Sequence, residues 1–223
     1  MVALNQGRYT WRHDSVLCNI EPPLVNLINR MNSRSCHRLS TLKRSFPSSF
    51  VTHGTLEKTT PSPCSSLLDG SCDWSIVIDY KHKPVVFPPV IFATNQRPDI
   101  VIWSESSRRV LLLELTCPAE EGIQAARDRK EAKYAPLVDS INSTKCWNAE
   151  LLTLEVGARG LVACRTFKVF RNLGFDSSAA NALCRVLSSV VSRCSFYPLC
   201  AFAGCLDSSW PSSCSPFIDQ CSS

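Results

Sequence analysis

Two short apolar runs, DIVIW at 99–103 and VLLLEL at 110–115, stand on either side of the polar segment SESSRR. Both runs have strand length and strand composition, and the segment between them has the polarity of a turn. A hairpin folded symmetrically about the point between residues 106 and 107 places Asp99 directly opposite Glu114. Opposed residues share one face of a sheet, with Cβ atoms about 4.5–5.5 Å apart. Two carboxylates held that close repel each other, and one of them takes up a proton unless a cation sits between them. A hard divalent ion with oxygen ligands, Mg²⁺ or Mn²⁺, is the natural partner. Glu114 follows four apolar residues, so it enters a buried strand end where an unpaired charge is costly. The plainer alternative makes Asp99 a turn residue after Pro98 and Glu114 the end of an edge strand.

The neighbouring segments supply elements to pack on this hairpin. SIVID (75–79) and VVF (85–87) read as further short strands separated by YKHKP, and LLTLEV (151–156) reads as another. A helical segment opens at Pro118 with Glu120 and Glu121 in its first turn and runs to about Ala135, where Pro136 ends or kinks it. At 100° per residue Ile123, Ala126, Tyr134 and Leu137 form one apolar arc, with Lys130 in its middle and Lys133 at its edge. An ammonium aimed at a sheet needs a partner, and the two carboxylates, or a phosphate bound at them, would serve. A lysine that snorkels past apolar neighbours into water is the alternative.

The chain divides by composition into four stretches. Residues 1–33 hold a short helical region over 8–33, with Val16, Leu17, Ile20 and then Leu24, Leu27, Ile28 at helical spacing on either side of Pro22–Pro23. Residues 34–72 are Ser/Thr/Pro-rich and read as a linker. Residues 73–193 form the core, ending in helices over 161–173 and 178–193 separated by Gly174. Residues 194–223 are a Cys/Ser-rich tail with no period, expected to be irregular. The fold class that follows is α/β, a small mixed sheet flanked by helices.

Charge and cysteine usage narrow the function classes. Residues 1–72 carry 8 Lys and Arg against 4 Asp and Glu, residues 73–156 carry 10 against 12, and residues 157–223 carry 6 against 3. An acidic middle with basic flanks suits a metal beside a polyanion, and also suits a plain solvated surface. The 13 cysteines include no CxxC pair, and no His follows His82, so a zinc finger or ribbon has no support. The first residues carry charge by Arg8 and show no apolar signal core, so an intracellular, reducing setting and free thiols are expected rather than secretion. The longest apolar stretch near the tail, Cys194 to Leu206, is broken by Pro198 and too short to span a bilayer, so no membrane partner is expected. GxSxG, GxxxxGK[ST] and HExxH are all absent, which leaves serine-hydrolase, P-loop and zincin chemistry without support.

RPDIVIW, LLLELTCP and RDRKEAKY, in that order, resemble the restriction-enzyme-like endonuclease domain of site-specific non-LTR retrotransposons, a divergent branch of the PD-(D/E)XK nuclease superfamily. The similarity extends through LLDGSCDWSIVIDYKHKPVVFPPVI upstream and LEVGARGLVA downstream, and GRYTWRHDSVL resembles the segment just before that domain. It covers roughly residues 7–33 and 65–175. The resemblance implies a PD-(D/E)XK restriction-endonuclease-like core and metal-dependent nicking of double-stranded DNA, with Mg²⁺ or Mn²⁺ as cofactor. It implies Asp99 and Glu114 as metal ligands and the backbone carbonyl of Leu115 as a third contact. Thr116 stands where the lysine of E-x-K is expected. In divergent members that lysine moves to the following helix, which points to Lys130 as the catalytic lysine, with Lys133 as the alternative. Tyr134 would position phosphate, and Arg97, Arg12 and His13 would contact nucleic acid. Retroelement RNA is a further expected partner, a small-molecule substrate is not, and a functional protein would be nuclear. The resemblance also implies a fragment lacking the reverse transcriptase and zinc knuckle of such elements. A catalytically inactive nucleic-acid-binding remnant is the alternative function.

Overall fold

In the computed structural model the backbone is described for residues 3–42, 66–80 and 84–202, and side chains for 9–33, 66–80 and 84–196. The protein is α/β: the described residues form a four-stranded mixed sheet flanked by four helices. The strands are β1 (Trp74–Ile78), β2 (Ile100–Ser104), β3 (Arg109–Thr116) and β4 (Asn148–Glu155), in spatial order β1-β2-β3-β4. β1, β2 and β3 pair antiparallel, and β4 pairs parallel to β3. The parallel pair is joined by α2 (Ile123–Ser143), as a crossover connection requires. The remaining helices are α1 (Ala3–Leu42), α3 (Cys164–Leu173) and α4 (Ser177–Phe202).

The sheet is buried on both faces, and the alternation along its strands sorts the side chains between two cores. Leu111, Leu113 and Leu115 of β3 face one side, with Ile100 and Ile102 of β2 and Leu152 and Leu154 of β4. There they meet Leu17, Ile20, Leu24 and Leu27 of α1, Phe170 of α3 and Leu187 of α4. Val110 and Leu112 face the other side with Val101 and Ala149, against Tyr134, Leu137 and Ile141 of α2 and against Phe87 and Ile91. A strand covered on both faces has no polar face to show, which explains the unbroken VLLL run. It also explains why Glu114, the next residue, lies fully buried.

The expected β2–β3 register is the one observed, with Ile100 opposite Leu113 and Ser104 opposite Arg109. Several other expectations are corrected. Val85–Phe87 is not a strand: Pro84, Pro88 and Pro89 bracket it and cannot donate to a ladder, though Phe87 still buries its ring. The helical region expected over 8–33 is present and longer than expected. One helix runs from Ala3 to Leu42 through both prolines and into the stretch read as a linker. The buried stripe from Val16 to Met31 holds both halves against the same core, and that outweighs the lost hydrogen bonds. Pro136 likewise lies inside α2, between the buried anchors Tyr134 and Leu137.

The segment after Pro118 starts with a single 3-10 turn at Glu120–Gly122, and the α-helix begins only at Ile123. Glu120 is drawn away from the helix end by Arg159, whose backbone N–H and Nε donate to it at 2.6 and 2.7 Å. α4 continues to Phe202, so the first part of the tail read as irregular is helical. Residues 43–65, most of the expected linker, and 203–223, the rest of the tail, lie outside the described residues. No helix among the described residues is long and apolar enough to cross a membrane.

Gly174 ends α3 with φ of 114°, in a region that L side chains rarely adopt. A Cβ there would lie 3.2 Å from Ser66, whose neighbour Leu67 donates to the carbonyl of Asn172 at 2.7 Å. Gly174→Ala should destabilise the protein by about 1–2 kcal/mol. Gly122→Ala is the control, because its Cβ would meet only Pro118 at 3.8 Å. Thermal unfolding of the two variants checks this, with a clear drop in Tm expected only for Gly174→Ala.

Candidate active site

At the end of the sheet where β2 begins and β3 ends, the register brings Asp99 beside Glu114. The Asp99 backbone N–H donates to Glu114 Oε1 at 3.1 Å, and Asp99 Oδ2 accepts the backbone N–H of Leu115 at 2.7 Å. Each carboxylate therefore reaches across to the other strand, and the two are locked together by the continuation of the ladder. Lys130, on the buried side of α2, closes the group. Its Nζ lies 2.5 Å from Glu114 Oε2 and 3.7 Å from Asp99 Oδ2. The inward lysine and the face-to-face carboxylates expected from the sequence thus meet in space.

The electrostatics follow from burial and from this crowding. Glu114 is pushed up to about 7, first by burial and then by the Asp99 charge, with Lys130 pulling the other way. Burial opposes the charge on Asp99 as well. His13 hydrogen-bonded to it, together with Lys130 and the Leu115 N–H, holds its carboxyl below the usual range. Burial also opposes the charge on Lys130, but Asp99 and Glu114 outweigh it and raise its pKa. The pair is thus one ionised carboxylate and one that readily takes a proton, facing a firmly charged ammonium.

The other expected residues are placed as follows. His13 of α1 turns Nε2 to Asp99 Oδ2 at 3.2 Å. Tyr134 is fully buried, and its hydroxyl donates to the Arg97 carbonyl at 2.8 Å and accepts from Lys133 Nζ at 2.8 Å. Lys133 therefore sits at the rim of the site and leaves the carboxylates to Lys130. Arg97 is half exposed and clamps Asp79, with Nη2 at 2.6 Å and 2.8 Å from the two oxygens. Arg12 turns away from the carboxylates toward α4, where Nη1 donates to Ser195 Oγ at 3.0 Å.

Three residues near the site had no assigned role from the sequence. Asp79 follows β1, accepts the Val85 N–H at 2.7 Å and holds Arg97 in place. Its position at the end of SIVID, beside the start of β2, was the available signal. Tyr9, one turn before His13, stacks on the imidazole with ring centroids 5.9 Å apart, and nothing in the sequence marks that contact. Glu155 ends β4 on the same face as Glu114, across from Thr116. It is fully buried, and among the described residues neither of its carboxylate oxygens nor the Thr116 and Thr153 hydroxyls has a hydrogen-bond partner.

As a donor set the site is oxygen-rich and small. Among the described residues no three His, Cys, Asp or Glu side chains group as metal ligands. Two carboxylates converging on one positive charge do fit a Mg²⁺-type ion, which takes one or two carboxylates and completes its shell with carbonyl, water and phosphate oxygens. In a strand the N–H and C=O of one residue point the same way, so the Leu115 carbonyl lies on the side from which its N–H reaches Asp99. The chain matches no protein-family profile, and no curated protein matches it significantly.

Burial raises the pKa of Glu155 in the folded protein above its unfolded value of about 4.3. The buried charge therefore destabilises the fold at pH values above the folded pKa, and the penalty shrinks as pH falls from the folded pKa to the unfolded value, below which it is gone. Glu155→Gln should raise Tm at pH 8, with the gain shrinking toward pH 4. Scanning calorimetry across that range checks it, and a gain that does not change with pH would contradict it.

Proposed function

We propose that this protein is a metal-dependent DNA endonuclease of the PD-(D/E)XK type, derived from the endonuclease domain of a non-LTR retrotransposon. The observation that carries this reading is the convergence of Asp99, Glu114 and Lys130 on one point, from three elements and at 2.5–3.7 Å. A structural ion pair needs one carboxylate per ammonium. A second one, buried beside the first and held by His13, makes a pair of oxygen donors that suits a divalent ion. The mixed sheet, with the carboxylates on adjacent antiparallel strands and the lysine on the following helix, agrees with the motif order.

In this reading Asp99, Glu114 and the Leu115 carbonyl hold Mg²⁺ or Mn²⁺. The bound ion would polarise the scissile phosphate and acidify a coordinated water. Lys130, anchored by Glu114, presents its ammonium to the phosphate oxygens or to the attacking water and stabilises the charge that develops there. Tyr134 braces the Arg97 backbone, which fixes the Arg97-Pro98-Asp99 turn so that Asp99 enters the site at one angle. Arg97 and Lys133 at the rim supply positive charge for the DNA backbone. Thr116 in place of the usual lysine favours a second reading, a nucleic-acid-binding module without catalysis, and the contact of Lys130 with both carboxylates supports the first.

Nicking of supercoiled plasmid in Mg²⁺ and in Mn²⁺ tests the proposal. Asp99→Ala and Glu114→Ala should fall to the EDTA background, and Lys130→Ala should lose on the order of 10²–10³-fold. Thermal unfolding of each variant separates lost chemistry from lost fold. A folded wild type that binds duplex DNA in a salt-dependent way without nicking it would support the binding module instead.

A further inference from the structure

The carboxyl group of an aspartate turns on a soft terminal torsion, so its plane is set by the donors around it. Asp99 accepts two hydrogen bonds, both on Oδ2 and from different elements, the Leu115 N–H of β3 at 2.7 Å and His13 Nε2 of α1 at 3.2 Å, while Lys130 Nζ of α2 stands 3.7 Å from the same oxygen as an ion pair. Among the described residues no hydrogen bond reaches Oδ1. The backbone N–H fixes one direction only. A second donor is needed to fix the plane, and Lys130 is the more distant of the two candidates and is already committed to Glu114 at 2.5 Å.

His13 is well placed for that work. Its ring stacks on Tyr9 and its side chain is only 12% exposed, so it has little freedom to swing. Its nitrogens both face carboxylates, Nδ1 at 3.3 Å from Asp14 and Nε2 at 3.2 Å from Asp99. The Nε2 contact is the one that reaches the site, and with the tautomer that carries hydrogen there His13 acts on Asp99 as an oriented donor.

We propose that His13 is a positioning residue for the metal centre: α1, from the opposite side of the sheet, holds Asp99 by Oδ2 so that Oδ1 is presented to a divalent ion. This rests on the metal-dependent reading above. It assigns α1 a part in the site rather than only in the core, and it gives His13 a role through Asp99 in place of a direct contact with nucleic acid. Outer partners that orient a ligand typically change metal affinity 10–100-fold when removed.

The test is Mn²⁺ binding to the full chain without DNA, followed by titration calorimetry and by the paramagnetic signal of free Mn²⁺. His13→Ala should weaken binding about 10–100-fold. His13→Gln keeps an N–H at the reach of Nε2 and should restore binding close to wild type. His13→Asn keeps the polarity but falls short, and should behave like His13→Ala. A purely structural role for His13 would not separate Gln from Asn in this way, and those two variants decide the matter if His13→Ala fails to fold. Wild-type binding that all three variants leave unchanged, or equal losses in Gln and Asn, would overturn the proposal alone. Wild type that binds no Mn²⁺, or binds it equally well with Asp99→Asn, would overturn the metal reading and this proposal with it.

Discussion

The hairpin register that sets Asp99 against Glu114 creates an electrostatic problem, and much of the surrounding structure is arranged around it. Two carboxylates at the end of a sheet that is buried on both faces cannot both stay charged without compensation. Each helps to tie down the other strand, Asp99 through the Leu115 N–H and Glu114 through the Asp99 N–H. Slipping the hairpin by one residue would leave the VLLL run apolar on both faces but turn Glu114 to the α1 side, away from Lys130. The same packing that stabilises the strand therefore also fixes the acidic pair.

Compensation comes from both sides of the sheet. α2 covers one face and sends Lys130 to the pair from the middle of its buried stripe, where Tyr134 and Leu137 anchor the helix. α1 covers the other face and reaches past the sheet end with His13. A site assembled this way depends on two cores at once. Loosening either helix withdraws a donor from a carboxylate that has few alternatives. Glu155, on the same face, has the electrostatic pull of Arg127 and Arg165 but no cation bonded to it among the described residues. It is a buried carboxylate at the end of β4 whose oxygens find no partner among the described residues.

Much of this was legible beforehand because it depends on short-range periodicity. The two apolar runs and the polar turn between Trp103 and Val110, folded symmetrically, were enough to give the β2–β3 register, and with it the acidic pair. The 100° spacing along α2 was enough to put Lys130 on the inner face with Ala126, Tyr134 and Leu137. Pro136 is a strong local signal for a helix end, yet α2 continues because the buried residues on either side pack on one core, as they do around Pro22–Pro23 in α1. In Val85–Phe87 the β-branched composition suggested a strand, but flanking prolines left no ladder to join.

Local sequence by itself determined the α/β class, the antiparallel pair with its carboxylates opposed, and the inward lysine, since each is a consequence of residue spacing within one element or one hairpin. Tertiary structure alone decided that β4 lies parallel beside β3, that Arg12 turns to α4 and Arg97 to Asp79, and that His13 meets Asp99 from 86 residues away. Those partners are chosen by how whole helices and strands seat on the sheet, and no periodicity within a segment encodes which distant side chain will arrive at its end.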